Sequence, residues 1–235
     1  MATFQVQVTG LTGITISSSG TSPTEAQLTQ FLTDGAKEVL NSLPRSRQEM
    51  FTTSNELNTS STNLTLLGSE VFSVTRDDGT INQPCRKVPA KLNGRIRDSG
   101  DMMAATATDP AYYISNNILS VVPEPSNSNN AHVQTLAYPT VAYSDSVVAK
   151  FPDDGEYLIP LYASVKSLQN AIETIRALSN TQFDSAVTSN TAEDIELASS
   201  HLNAGGSYLN EIVSMEKQQA KLQADYEKGL AQLVR

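Results

Sequence analysis

The chain has no tryptophan, one cysteine and two histidines in 235 residues, and only 17% of it is charged. Each shortage removes a class of chemistry. Cys85 alone cannot close an intrachain disulfide, which fits synthesis in a reducing compartment. With His132 and His201 as the only imidazoles, metal centres and nucleophilic triads have almost no material. No apolar run approaches the roughly 20 residues that span a bilayer. The opening MATFQVQVTG lacks the charged-then-apolar order of a signal peptide. There is no P-loop, no Gly-x-Ser-x-Gly elbow and no His-Glu-x-x-His. The expectation is a protein that is not an enzyme, takes no cofactor or metal, and meets no membrane. A net charge of −9 also argues against general nucleic-acid binding, because nothing supplies a sustained phosphate footprint.

Hydrophobic residues make up 39% of the chain, and Ser, Thr and Asn fill much of the remainder. That composition suits loops and strands solvated without charge. The 235 residues can bury one sizeable core or two small ones.

The strongest periodic signal lies in FPDDGEYLIPLYASVKSLQNAIETIRALSN, residues 151–180. Leu158, Leu161, Val165, Leu168, Ile172 and Ile175 step by three and four, a seam on one helix face. The seam is too short for a free-standing coiled coil, so it reads as the wall of a bundle and an oligomer contact. Asp153 or Asp154 is placed to cap the helix. Pro160 either opens it or kinks it.

A second helix is expected from Pro23-Thr24 to Leu43-Pro44, with Leu28, Phe31, Leu32, Ala36, Val39 and Leu40 as its stripe. Gly35 should weaken it by about 1 kcal/mol. Ahead of it, Phe4, Val6 and Val8 alternate as in a strand, followed by Ile14 and Ile16 after a Gly10–Gly13 turn. Between the helices the period changes to two. Runs at 71–75 and 81–88 flank Asp78-Gly79, and runs at 112–115 and 118–122 flank Asn116-Asn117, both hairpin signals. A further strand over 133–143 is interrupted by Pro139, and 123–130 should be an exposed loop. Thr181–Asn190 reads as a link. A last helix starts at Thr191, with Asp194 completing a capping box, and Gly205-Gly206 should break or bend it, a candidate hinge for a long arm.

The expected fold class is therefore α+β: a helical bundle with an inserted β-rich hairpin region and a long C-terminal helical arm. Residues 1–68 hold the first strand and helix, 69–148 the β-rich insertion, and 149–235 the later helices. Residues 24–43 and 151–235 should form one helical domain.

Three residue types invite a chemical reading. His132 and His201 read as surface or structural. Cys85 reads as a small buried residue at a strand, and Asp77-Asp78-Gly79 as a β-turn rather than a calcium loop, since an EF-hand needs more ligands. The one charge concentration is Arg86, Lys87, Lys91, Arg95 and Arg97, five bases in twelve residues without an acid. It is either a docking surface for carboxylates or a DNA backbone, or a solvated edge that discourages aggregation.

Three blocks carry a resemblance: EAQLTQFLTDGAKEVLNSLP, CRKVPAKLNGRIRDSGDMMAATATDPAYYISNNILSVVPEP and FPDDGEYLIPLYASVKSLQNAI. Together they resemble virion structural proteins of tailed bacteriophages, especially marine and cyanobacterial ones, of the head-to-tail adaptor (connector) kind. The resemblance covers roughly residues 24–179 and does not reach the C-terminal arm. It implies a homo-oligomeric ring, most often a dodecamer, below the portal. The implied neighbours are the portal protein and the tail or nozzle proteins, with packaged DNA passing through the lumen. It further implies synthesis in the bacterial cytoplasm and a final place in the neck of the virion. Another phage tail or baseplate protein is the alternative. No catalytic residue carries over.

Overall fold

The structure is a computed structural model that describes residues 2–18, 23–149, 151–189 and 195–233, apart from the side chains of Ser189 and Ile195. In chain order its elements begin with helices α1 (Phe4–Thr12), α2 (Glu25–Ser42) and α3 (Arg45–Gln48). Strands β1 (Thr52–Leu57), β2 (Asn63–Thr65), β3 (Val71–Asp77), β4 (Asn82–Pro84) and β5 (Arg86–Lys87) follow. Then come helix α4 (Asn93–Arg97) and strands β6 (Ala111–Ser115), β7 (Ile118–Val122) and β8 (Ala131–Leu136). The chain closes with α5 (Asp153–Glu156), α6 (Leu158–Ser189) and α7 (Ile195–Leu233). It divides into two compact units: a helical one of residues 1–44 and 138–235, and a β-rich one of residues 45–137. The fold is α+β, with a long C-terminal helix. The β-rich unit opens at Arg45 rather than at residue 69, and closes at Ala137 rather than at 148.

In the helical unit the expected first strand is a helix. The Thr3 side chain accepts from the Val6 N–H, and Gly13 closes the helix at φ 73°, a left-handed conformation that glycine adopts without strain. Spaced by four, Phe4, Val8 and Thr12 all fall on the buried face, whereas Val6 is exposed. Backbone amides of Phe4 and Gln5 donate to the carbonyls of Asp145 and Tyr143, which satisfies two donors that a helix start leaves open.

Helix α2 follows the pattern expected of it. Thr24 and Gln27 form a reciprocal capping box, at 3.2 Å and 2.8 Å, and the helix stops before Pro44. Leu28, Leu32, Ala36, Val39 and Leu40 are buried and Phe31 half-buried. Gly35 is buried too, and not as a weak point: the Tyr162 ring of α6 lies against it.

Helices α6 and α7 form an antiparallel hairpin. The seam packs inward as the bundle reading expects, with Leu158 and Leu168 fully buried, Val165 and Ile172 buried, and Leu161 and Ile175 half-buried. Its four buried residues are closed within the chain and are not the oligomer contact also expected of them. Val165 and Leu168 meet Leu222 of α7, and Leu11, Ile14 and Met215 pack around them. Several boundaries differ from expectation. Neither Asp153 nor Asp154 is a cap; the short α5 begins after Pro152 with no side-chain capping bond, and both acids sit in its first turn. Pro160 is the third residue of α6, where an amide would have no helical acceptor, so it neither opens nor breaks the helix. The link expected from Thr181 is helix as far as Ser189, where Phe183 packs on Gly205 of α7 and Ala186 is buried. Asn190, and the Thr191–Asp194 capping box, lie outside the described residues.

Nor does Gly205-Gly206 interrupt α7. Gly205 is buried under Phe183, and its carbonyl accepts from the Ser179 hydroxyl at 3.2 Å. The two glycines are therefore expected to respond differently to substitution. Gly206→Ala is expected to stabilise by up to about 1 kcal/mol, the gain in helix propensity, because a methyl there meets nothing within 4 Å. Gly205→Ala places a carbon 2.7 Å from Phe183 Cε1, at the free edge of a half-buried ring that must swing aside, so it should lose the propensity gain and destabilise by up to about 1 kcal/mol. Urea melts of both variants check this; equal destabilisation would disprove the packing of Gly205 on Phe183.

In the β-rich unit, two antiparallel hairpins form where expected. Gly79 turns at φ 98°, and Asn116 and Asn117 turn at φ 51° and 61°. The latter pair is a two-residue connection, since Ser115 pairs with Ile118. The strand expected over 133–143 is shorter, Ala131–Leu136, ending before Pro139. The 123–130 segment is a loop in which Pro125 is buried rather than exposed. Strands β1 and β2 lie in the polar segment 52–67, where Leu57 and Leu66 are buried in the core. Six consecutive pairs from Thr52↔Leu136 to Leu57↔Ala131 hold β1. The sheets run β1-β8-β3-β4 and β2-β7-β6-β5. Leu57, Val74 and Val133 of the first meet Leu119 and Val121 of the second. On the other face of the second sheet, Ala111, Tyr113 and Val122 pack with Val88 and Ile96.

Candidate functional site

The basic stretch is organised by its apolar residues. Val88, Leu92 and Ile96 recur every fourth position, and all three pack against the sheet. The register is held by β5, which runs parallel to β6 with Arg86↔Ala111 and Lys87↔Tyr112. The bases are thereby turned outward. Arg86 is half-buried; Lys87, Lys91, Arg95 and Arg97 are exposed.

Within this unit the three arginines already have carboxylate partners. Arg86 Nε meets Asp109 Oδ2 at 3.0 Å, and its Nη2 donates to the Met103 carbonyl at 2.6 Å. Arg95 grips Asp101 with both arms of its fork, at 2.7 Å and 3.1 Å. Arg97 reaches Glu124 Oε1 at 2.9 Å and Asn93 Oδ1 at 2.9 Å. These acids all lie outside the twelve-residue window, so local charge counting cannot see them. Arg76, at the end of β3 and outside the basic stretch, is buried and donates to the carbonyls of Pro123 and Asp77, each at 3.0 Å. The arginines thus fasten the loops at 98–109 and 123–130. Lys87 and Lys91 have no ion pair among the described residues, and they are the part of the expected docking surface left open to a partner.

The Arg95 fork and the Met103 amide hold the Asp101 carboxyl below the usual carboxylate range. A carboxylate with a depressed folded value keeps its contribution above the ordinary range and loses it as pH falls through the depressed one. The loop contact should therefore survive mild acid. Arg95→Glu sets two carboxylates against each other there, and faster amide exchange over residues 98–106 is expected. Unchanged exchange would remove Arg95 as the loop's anchor. Lys87→Glu with Lys91→Glu should shift stability by less than about 0.5 kcal/mol, as surface substitutions do.

Other candidate groups have structural surroundings. Burial pushes the Cys85 thiol up to about 12, so it carries no thiolate at neutral pH. His201 Nδ1 is 2.7 Å from Gln182 Oε1, across the helical hairpin. His132 lies half-buried on β8. Asp78 Oδ1 accepts from the amides of Thr80 and Ile81 at 2.8 Å and 2.9 Å, closing the β-turn. Among the described residues no group of three or more His, Cys, Asp or Glu is placed to hold a metal ion, and no helix is long and apolar enough to cross a membrane.

The helical unit offers a different kind of site. At the foot of the hairpin, α1 and α2 cover α6. Further out, Leu178, Val187, Leu202, Leu209 and Val213 are exposed. A groove of about 380 Å³ runs between the end of α1 and the hairpin, lined by Ile14, Thr174, Ile175, Leu178, Glu211 and Met215 among others. Its lining mixes the apolar Ile14, Ile175, Leu178 and Met215 with the polar Thr12 and Thr174 and one acid, Glu211, an arrangement that can hold an apolar side chain with a cation beside it. Comparison with protein-family models and with curated proteins finds no match for this chain.

Proposed function

We propose that this chain is a structural subunit of a tailed-phage particle, one copy in the ring that joins the portal of the head to the tail. The observation that carries the reading is the split helical unit. Its hairpin leaves large apolar side chains uncovered beyond the reach of α1 and α2, and that is surface for neighbouring copies. The adaptor-like blocks support it by where they fall. The first covers α2, the second runs through β5, α4, β6 and β7, and the third spans α5 and the start of α6. They fall in both units, the first and third in the helical one and the second in the β-rich one.

The acidic balance fits a ring through which DNA slides without sticking. The open Lys87 and Lys91 fit a carboxylate-bearing neighbour such as the portal or a tail protein. The chain is made in the host cytoplasm and ends in the virion neck. Cryo-electron microscopy of intact particles tests this: density fitting both units should form a ring directly below the portal. Density at the baseplate or tail tip instead, or none in the particle, would overturn the neck assignment.

A further inference from the structure

Helix α7 carries apolar side chains on both flanks of the stripe it buries against α6. Buried Ile212 marks the middle of that stripe. At about 100° per residue, Leu202, Gly206, Leu209 and Val213 lie about 60–120° to one side of it, and Met215 and Glu211 about 60–100° to the other. The first flank is bare: Leu202, Leu209 and Val213 are 53%, 47% and 49% exposed. Their spacing, with Gly206, is four, three, four, that of a helix-packing seam with nothing in it. The second flank forms the wall of the groove with Ile14, Thr174, Ile175 and Leu178. Leu209 and Val213 bracket Glu211 in sequence, so the row and the groove stand at the same height on the helix.

Charge follows the same division. Between Glu196 and Glu211, α7 has no Asp, Glu, Lys or Arg. Copies of a chain with net charge −9 repel one another, and this row is a surface where they do not. Lys217, one turn beyond Val213, borders the bare row, while Glu211 lines the groove. Both are exposed, and neither has an ion pair among the described residues.

We propose that the bare row of one copy seats in the groove of a second copy of this chain. Leu209 and Val213 enter between the end of α1 and α6, and Lys217 reaches toward Glu211 across the contact. Because row and groove are different surfaces on opposite flanks, the contact is heterologous: it repeats from copy to copy and can close as a ring. The inference deepens the ring reading above, and rests on it only for that closure.

Sedimentation and native mass measurement of the purified full chain test it. The wild type should associate. Leu209→Glu with Val213→Glu should be monomeric at unchanged helical content, since both side chains are half-exposed in the single chain. Leu178→Arg, which fills the groove from an exposed position, should be monomeric as well. Mixed, the two variants still offer one intact row and one intact groove, and should give a one-to-one dimer that stops there. Glu211→Lys should weaken association by about tenfold or more, and adding Lys217→Glu should restore it. A wild type that stays monomeric overturns the proposal, as does a double-glutamate variant that assembles normally. So does normal assembly of Leu178→Arg, which would mean that row meets row. A chain that associates in this way yet is missing from the neck sinks the neck reading alone. A neck-located chain whose row variants assemble normally sinks this contact alone.

Discussion

Leu168→Asp is expected to unfold the helical unit. Leu168 is fully buried between α6 and α7, against Val165 and Leu222. Removing a buried leucine costs about 3–5 kcal/mol through lost transfer energy and the cavity left behind. A carboxylate there adds a desolvation penalty with no cation beside it, and it escapes only by taking up a proton. Together these approach the roughly 5–15 kcal/mol that holds a domain folded. The soluble yield of Leu168→Asp should collapse, and what remains should show no cooperative melt for residues 1–44 and 138–235. Leu168→Met, which conserves volume, should stay within about 1.5 kcal/mol of wild type. A cooperative Leu168→Asp melt close to wild type would refute the burial of this seam.

Gly35→Leu is the second large effect, and its sign opposes helix propensity. On propensity alone the substitution gains about 1 kcal/mol. In the structure a carbon at this position would stand 2.9 Å from Tyr162 Cδ1 and 3.2 Å from Tyr162 Cβ and Cγ. A ring tip can swing away, but a Cβ moves only with its backbone. Helix α2 would have to withdraw from α6, uncovering Leu28, Leu32 and Val39 on the same face. Overpacking costs about 1–3 kcal/mol, and part of the α2 burial is lost with it, so a net loss of about 2–4 kcal/mol is expected from chemical denaturation. Gly35→Ala should lose less, since propensity offsets part of the clash. A neutral or stabilising Gly35→Leu would mean that α2 does not rest on Tyr162.

These residues also mark how far the sequence could be read. The six-residue seam of α6 is legible because none of its helically spaced positions is exposed and four of them are buried. Helix α2 is legible because Pro23-Thr24 and Leu43-Pro44 frame its stripe. The hairpins are legible because Asp-Gly and Asn-Asn accept positive φ. Reading fails where a partner distant in sequence decides. Nine residues from Phe4 fit either period, and the cap at Thr3, the closing Gly13 and the carbonyls of Tyr143 and Asp145 make them a helix. β1 shows no alternation because backbone pairing with β8, not side-chain burial, holds it. The basic stretch reads as one open surface until Asp101, Asp109 and Glu124 fold onto it, leaving Lys87 and Lys91.

What the sequence by itself determined is therefore local: which segments have an apolar face, where caps and turns stop them, and which chemistries lack their residues. The glycines show most directly what only the tertiary structure decided. Gly205 and Gly206 are neighbours of the same type in the same helix, yet one is packed under Phe183 and the other is open. The apolar row beside them was equally undecided, since a periodic pattern specifies that a face is to be buried but not by what. Propensity and period depend on residues within a turn or two of one another. Close approach, ion pairing and the face left over depend on which elements come together, and that is settled only when the chain has packed.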